Sequence, residues 1–260
     1  MRNAIVCLTR GYADPRRYDS LIQRNRSIYQ TINRRRRHQY PLVIWHEGNI
    51  SAGHQRYILR RELNADVRFI DVSAALYLPH GLKRSDFLEG WSAGYRLMCR
   101  FHTYYIWYYT RQLDYIMRLD EDCTLLSVAS DPIEDLWRAG GDFACVGYDG
   151  EAHELTNRTL GPFARRYATT ILRRVDGRDP YDRRFPYTNL YVTRTAFWRQ
   201  AHVQQFLDTV IGQPDSIRCR WGDLPALGVA LNLFAARGSV HSMPHVRYKH
   251  GSHNRIVSGA

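Results

Sequence analysis

The sequence predicts an α/β fold built on a mostly parallel sheet flanked by helices. Three observations predict it. Short apolar runs at residues 4–8, 42–45 and 67–72 alternate with stretches of helical period, a β-α-β-α-β order. Hydrophobic residues make up 44% and charged residues 24% of the 260, the balance of a globular chain. No apolar stretch approaches the ~20 residues that a membrane-spanning helix needs. The length suits one large or two small domains. With no internal repeat and no linker, a single domain over 1–260 is expected.

Taken in order, residues 4–8 (AIVCL) read as a buried strand ended by Thr9-Arg10-Gly11. Residues 18–36 have helical spacing, with Leu21, Ile22, Ile28 and Ile32 on one stripe. Residues 42–45 are a second buried strand, 51–63 are helix-like, and 67–72 form a third strand. A loop rich in Pro, Gly and charge (79–90) leads to a strong helical signal. Trp91, Tyr95, Met98, His102, Tyr105 and Tyr109 recur there at steps of three or four, a stripe read mainly as core. Residues 115–119 are another buried strand that runs directly into Asp120-Glu121-Asp122, and 142–147 look like a further one. Residues 149–186 are polar and Arg-rich with little periodicity, read as a long active-site loop with short helices. A late strand (188–193), helices at 196–211 and 224–236, and a flexible tail at 251–260 complete the chain.

Lys and Arg number 37 against 25 Asp and Glu, a net charge of +12. The densest cluster, Arg34 to His38, reads as the solvated end of a helix. No basic-plus-aromatic motif accompanies it, so no nucleic-acid partner is expected. Diffuse positive charge also suits a nucleotide-diphosphate substrate or peripheral contact with an anionic membrane. The five cysteines are odd in number and form no C-x-x-C pair, as buried reduced thiols would. The N-terminal residues carry no secretory h-region, and a soluble, cytoplasmic protein is expected.

The chemistry concentrates after the strand at 115–119. Ligands of open α/β sheets bind beyond the carboxyl ends of the strands. On extended chain, Asp120 and Asp122 would project to one side and Glu121 to the other. Paired hard carboxylates suit Mn²⁺ or Mg²⁺ bridging to a diphosphate, the DxD arrangement of sugar-nucleotide transferases. Asp223, in Arg220-Trp221-Gly222-Asp223, is either the N-cap of the following helix or a carboxylate near the sugar or acceptor hydroxyl. His241, His245, His250 and His253 cluster near the C-terminus, where an imidazole can close a metal site. Phe185-Pro186-Tyr187 offers either a stacking face for a sugar or ordinary packing. Arg10, Arg100 and Arg118 would add positive potential, unless Arg118 pairs internally with Glu121.

Several of these segments, in order, resemble the fungal α-1,2-mannosyltransferases of glycosyltransferase family 15. Residues 4–10 resemble the family's first strand and its Arg, and 40–47 its second strand. Residues 95–101 (YRLMCRF) resemble its signature Y-R-x-M-C-R-F/W. Arg118-Leu119-Asp120-Glu121-Asp122 falls where the family has R-V-E-P-x, Arg220 to Pro225 resembles R-W-G-D-A-P, and Tyr248-Lys249-His250 resembles Y-N-H.

The resemblance implies a GT-A (Rossmann-like) nucleotide-sugar transferase fold with a mixed central sheet. Residues 1–125 would be the nucleotide-sugar-binding half and 126–250 the acceptor-binding half. It implies a retaining, metal-dependent hexosyltransferase moving mannose from GDP-mannose to a glycan hydroxyl. It places Asp120, Asp122 and His250 at the Mn²⁺ (or Mg²⁺), Arg10, Tyr95, Arg100 and Asp120 at the donor, and Asp223 and Asp149 near the reacting groups. Tyr191 stands where the family has its proposed nucleophile, a Glu in an S-N-F-E-like pattern. A covalent glycosyl-carboxylate step is therefore not expected, and a front-face displacement takes its place. The alternatives are another donor (UDP-sugar, GDP-fucose or a rhamnosyl nucleotide) or a degenerate, non-catalytic basic binding module.

Overall fold

The computed structural model describes residues 1–174 and 177–259. The N-terminal alternation is present as β1 (Asn3–Thr9), α1 (Asp19–Thr31), β2 (Leu42–His46), α2 (Ala52–Leu59) and β3 (Val67–Asp71). Then come α3 (Ala93–Arg100), a π-helical stretch at Phe101–Tyr105, α4 (Ile106–Tyr109), β4 (Tyr115–Leu119), β5 (Cys123–Val128), α5 (Pro132–Arg138), β6 (Phe143–Cys145) and β7 (Tyr148–Gly150). The remainder is α6 (Glu154–Arg166), β8 (Arg184–Pro186), β9 (Leu190–Arg194), α7 (Thr195–Trp198), α8 (Ala201–Gly212), α9 (Asp215–Arg218), α10 (Asp223–Phe234), β10 (Val240–Ser242), β11 (Val246–His250) and β12 (Arg255–Ser258).

The main sheet has the order β10-β6-β9-β4-β1-β2-β3. β1 pairs in parallel with both β2 and β4, whereas β9 runs antiparallel to β4 and β6, so the sheet is mixed. Helices cover both faces, and the strand interiors are accordingly continuous apolar runs: Ala4, Ile5, Val6 and Cys7 are all fully buried. β1 and β2 advance in one direction, and β4 returns to the other side of β1. The crevice beyond the carboxyl ends of β1 and β4 is therefore a topological switch point, the place where such sheets bind ligands. A second sheet, β12-β11-β5, lies beside it, and β7 pairs with β8. The largest core cluster includes the stacked pair Trp107 and Trp198, with ring centroids 4.4 Å apart and planes within 5°.

Three expectations need correcting. The helix at 91–109 buries the predicted stripe only in part: His102 is buried and Tyr105 and Tyr109 pack against the core, but Trp91 is exposed and Met98 half-buried, while Arg96, Cys99, Thr103, Ile106 and Trp107 also face inward. The π-helical stretch shifts the register that a constant 3.6-residue period assumes. Residues 149–186 hold the 13-residue helix α6, with Leu160, Phe163 and Ala164 buried; Gly161-Pro162 interrupts its pattern in the sequence. Residues 251–260, expected as a flexible tail, carry β12, which pairs antiparallel with β11 through Arg247↔Ser258 and His250↔Arg255. No helix among the described residues is long and apolar enough to cross a membrane.

Candidate active site

The chain turns as soon as β4 ends. The Cys123 amide donates to the Asp120 carbonyl at 3.1 Å, so Asp120 to Cys123 is a tight turn and not extended strand. The alternation that would aim Asp120 and Asp122 at one cation does not apply there. Glu121 does turn away as expected. It accepts hydrogen bonds from Thr9 Oγ1 and, at 2.6 Å, from Tyr12 Oη, tying the end of β1 to the end of β4 at the switch point. Burial raises its pKa against those hydrogen bonds. Exposed Arg10 lies over the Tyr12 ring at 5.2 Å, and its charge is favoured by Tyr12 and by Glu121.

Arg118 organises the next layer. Its side chain is only 3% exposed, and its partners are Asp120 (2.8 Å) and Asp223 (2.5 Å), not Glu121. Asp223 is the first residue of α10, whose N-cap is Gly222; its carboxylate makes no capping bond, which removes the N-cap reading. Burial would raise the Asp223 pKa, but Arg118 outweighs it and holds it below the usual carboxylate value. At Asp120 burial wins, and the pKa is pushed up to about 6. Tyr191, the register partner of Arg118 across β4 and β9, is fully buried. Its ring stacks on Phe143 at 4.9 Å, and its hydroxyl has no hydrogen-bond partner among the described residues. Burial holds the phenol protonated well above its ordinary range. His102 is likewise buried with Nδ1 unpartnered, and burial first, then Arg118, keep it neutral.

Asp122 meets the C-terminal segment. Antiparallel pairing places His250 opposite Cys123, and His250 Nε2 stands 3.6 Å from an Asp122 carboxylate oxygen. The Ser252 amide donates to Asp122 at 2.8 Å. His250 Nδ1 is held by Asn189 Nδ2 at 2.8 Å and by Tyr187 Oη at 3.0 Å, and Tyr248 Oη donates to Asn189 at 2.6 Å. Burial lowers the His250 pKa, giving the neutral imidazole that metal ligation requires. Ligand atoms of Asp122, Cys123 and His250 lie within 4.8 Å of one another. Burial drives the Cys123 pKa far up, so it is a thiol and not a ligand for a hard cation. Asp120 is not in that group, and Arg118 holds one of its two oxygens, Oδ1. Of the clustered histidines, only His250 belongs to this group; His253 stacks on it at 4.5 Å, and His245 pairs with Asp135.

Other expected site residues are placed differently. Arg100 donates to the Ile211 carbonyl at the end of α8 (2.7 Å) and to Tyr105 Oη, so part of its guanidinium is engaged in packing α3 against α8. Asp149, on β7, is paired with Arg255 of β12 at 3.0 Å, apart from the Arg118–Asp223 layer. Tyr95 Oη accepts from Arg220 at 3.0 Å. Phe185 is fully buried in the core and offers no open stacking face, while half-buried Tyr187 is bonded to His250 through its hydroxyl.

Sequence reasoning missed Asn189 and Ser252 around His250, and read Tyr187 as a stacking or packing ring and not as the partner of His250. The one signal was polar Thr188-Asn189 opening an otherwise apolar strand. It also noted Arg220 only within a motif, where the structure gives it Glu151, Tyr95 and Trp91 as neighbours.

No family model matches the chain. It is 25% identical over 198 residues to an O-glycoside alpha-1,2-mannosyltransferase homolog of Schizosaccharomyces pombe, covering 70% of this chain and 53% of the relative. The chain thus spans about half the length of that curated relative. Among solved structures, core-mannan synthase A of Aspergillus fumigatus in its Mn/GDP form superposes with a TM-score of 0.82 at 14% identity, covering 96% of this chain and 74% of that one. The mannosyltransferase Ktr4p of S. cerevisiae in complex with GDP gives 0.81 at 16% identity, covering 96% and 71%. Mouse xyloside xylosyltransferase 1 is more distant, at 0.53 and 13% identity over 90% and 84% of the two chains. The chain therefore has the GT-A fold, and its similar proteins in sequence and in structure include fungal mannosyltransferases.

Proposed function

We propose that the chain is a retaining, divalent-metal-dependent hexosyltransferase of the family 15 type, moving mannose from GDP-mannose to a hydroxyl of a glycan acceptor. The observation that carries this reading is the meeting of Asp122 and neutral His250, 3.6 Å apart, beside the switch point of a GT-A fold. Carboxylate and imidazole suit Mn²⁺, and the His250 ring is held in place at Nδ1 by Asn189 and Tyr187. When bound, the ion supplies charge stabilisation for the departing diphosphate. Its presence in the A. fumigatus neighbour supports the assignment.

The chain's own residues do the rest. Thr9, Arg10, Tyr12 and Glu121 line the switch point where the nucleotide would lie. Asp223, kept ionised by Arg118, would accept hydrogen bonds from sugar hydroxyls, and Arg220 would add positive potential near the diphosphate. Tyr191, protonated and buried, is no nucleophile. In the displacement the bond from the anomeric carbon to the diphosphate oxygen breaks on the face where the acceptor oxygen bonds, and the acceptor proton passes to that departing oxygen. The 1–125 segment would serve the donor and the 126–250 segment the acceptor. The net charge of +12 supports peripheral contact with an anionic surface.

The test is thermal stabilisation by GDP-mannose, GDP, UDP-sugars and GDP-fucose with and without Mn²⁺, followed by transfer to methyl α-mannoside with the product's anomeric configuration read by NMR. Metal-dependent stabilisation by GDP-mannose with an α-product supports the proposal; stabilisation by a UDP-sugar alone replaces the donor. Tyr191 at the acid's position favours a second reading, a non-catalytic binding module. Nucleotide binding without transfer or hydrolysis would establish that reading instead.

A further inference from the structure

Trp91 is a large aromatic side chain left 42% exposed, at the end of the 79–90 loop and just before α3. Its position is held by polar groups, not by burial of the ring. Arg96, 1% exposed, donates from one guanidinium to the carbonyls of Leu88, Glu89, Trp91, Ile217 and Arg218. That pins the loop carrying Trp91 to the segment that leads into Arg220 and Asp223. Arg220 lies 4.4 Å from the Trp91 ring centre and 5.2 Å from that of Tyr95, and it donates to Tyr95 Oη at 3.0 Å. Glu151 faces Arg220 at 3.4 Å. Arg220 also holds a left-handed backbone, φ 53°, unusual for a side chain of this size and found where surroundings over-determine it. The tryptophan is thus backed by the Arg220 cation and by the Tyr95 ring, 4.5 Å away centre to centre, and Arg220 in turn stands three residues before Asp223, the carboxylate that Arg118 holds.

We infer that Trp91 is the stacking platform for the acceptor, a pyranose whose C–H face lies on the indole while its hydroxyls reach Asp223 and Arg220. The assignment rests on the transferase reading above. A rigid, exposed indole edged by charged hydrogen-bonding groups is what a ring with one apolar face and a polar rim requires.

The test uses the full chain with Mn²⁺, GDP-mannose and methyl α-mannoside. Trp91→Ala raises the acceptor KM about tenfold, the loss of one aromatic stacking contact. Trp91→Phe restores most of it, and acceptor-free hydrolysis of GDP-mannose and the donor KM stay at the wild-type level in both. Methyl α-mannoside also shifts the indole emission of the wild type, and this shift is lost in Trp91→Phe. An unchanged acceptor KM in Trp91→Ala, or an equal fall in donor hydrolysis, overturns the assignment. If the wild type turns over no nucleotide sugar, the transferase reading fails by itself; the emission shift then decides the platform, its presence supporting it and its absence overturning it.

Discussion

Replacing Arg118 by Met tests the structure at its most loaded point. The guanidinium is almost wholly buried and holds two carboxylates, one from the end of β4 and one from the start of α10. Deleting one member of a buried ion pair costs about 3–5 kcal/mol, because the remaining charge is stranded. Here two are stranded, but the Asp120 side chain is 29% exposed and water relieves part of its share. At 2–4 °C of melting temperature per kcal/mol for a chain of this size, the expected loss is about 6–20 °C at pH 7. The deficit also has a pH signature. Without Arg118, burial dominates at both acids, so both folded-state pKa values stand above the unfolded ones near 3.8. A raised acid binds more protons folded than unfolded, so stability falls as pH climbs through the window from the unfolded to the folded value. The loss is therefore largest at neutral pH and shrinks as pH is lowered toward about 4. Melting curves followed by circular dichroism from pH 4.5 to 7.5 measure this. Adding Asp120→Asn and Asp223→Asn to the variant recovers most of the loss. A shift below about 3 °C, or one independent of pH, would refute the argument.

Asp122→Asn removes Mn²⁺ binding, read by electron paramagnetic resonance titration, and lowers transfer by about two orders of magnitude or more. Asp120→Asn lowers transfer comparably but leaves the metal titration near wild type, since Arg118 engages Asp120 while Asp122 faces His250. Tyr191→Phe keeps substantial transfer activity; complete loss in a folded variant would restore a direct role for the phenol. Trp198→Ala, deleting half of the stacked pair under the main sheet, destabilises by about 3–5 kcal/mol in chemical denaturation with little change in the donor KM.

The strands were the most legible part of the chain. Residues 4–8 and 42–45 are continuous apolar runs because both faces of their sheet are covered, residues 115–119 are a like run broken only by buried Arg118, and their order gave the parallel core directly. β5, β11 and β12 were missed because their sheet buries one face only: Tyr248 and Val257 point inward while Lys249 and Ile256 point out. Short alternating segments with outward cations read as polar coil. At the site, the acids after β4, the neutral histidine and Asp223 were visible as residue types. Their partners were not. Whether Arg118 faces Glu121 or Asp223 depends on which strand lies alongside β4, a contact that no local pattern encodes. The same holds for Arg100, which a basic residue on a donor-facing helix suggests for phosphate and which the packing of α8 claims for a carbonyl.

The departure from extended chain at Asp120–Asp122 has a structural reason with consequences for chemistry. β5 leaves the main sheet to pair with β11, and the tight turn that carries the chain out of β4 begins at Asp120, whose carbonyl accepts from Cys123. The turn splits the acids among three tasks that a straight DxD would merge. Asp120 joins Arg118 and thereby Asp223, Glu121 closes the switch point against β1, and Asp122 alone faces His250. The second ligand then has to come from elsewhere, and the antiparallel β5–β11 pairing supplies it by placing His250 opposite Cys123. The Gly251 amide donates to the Asp122 carbonyl at 2.9 Å, so the same backbone that delivers the imidazole also fixes the turn. A cation held there would bind only the folded arrangement of these two distant segments, so its affinity would add directly to the docking of the C-terminal strands.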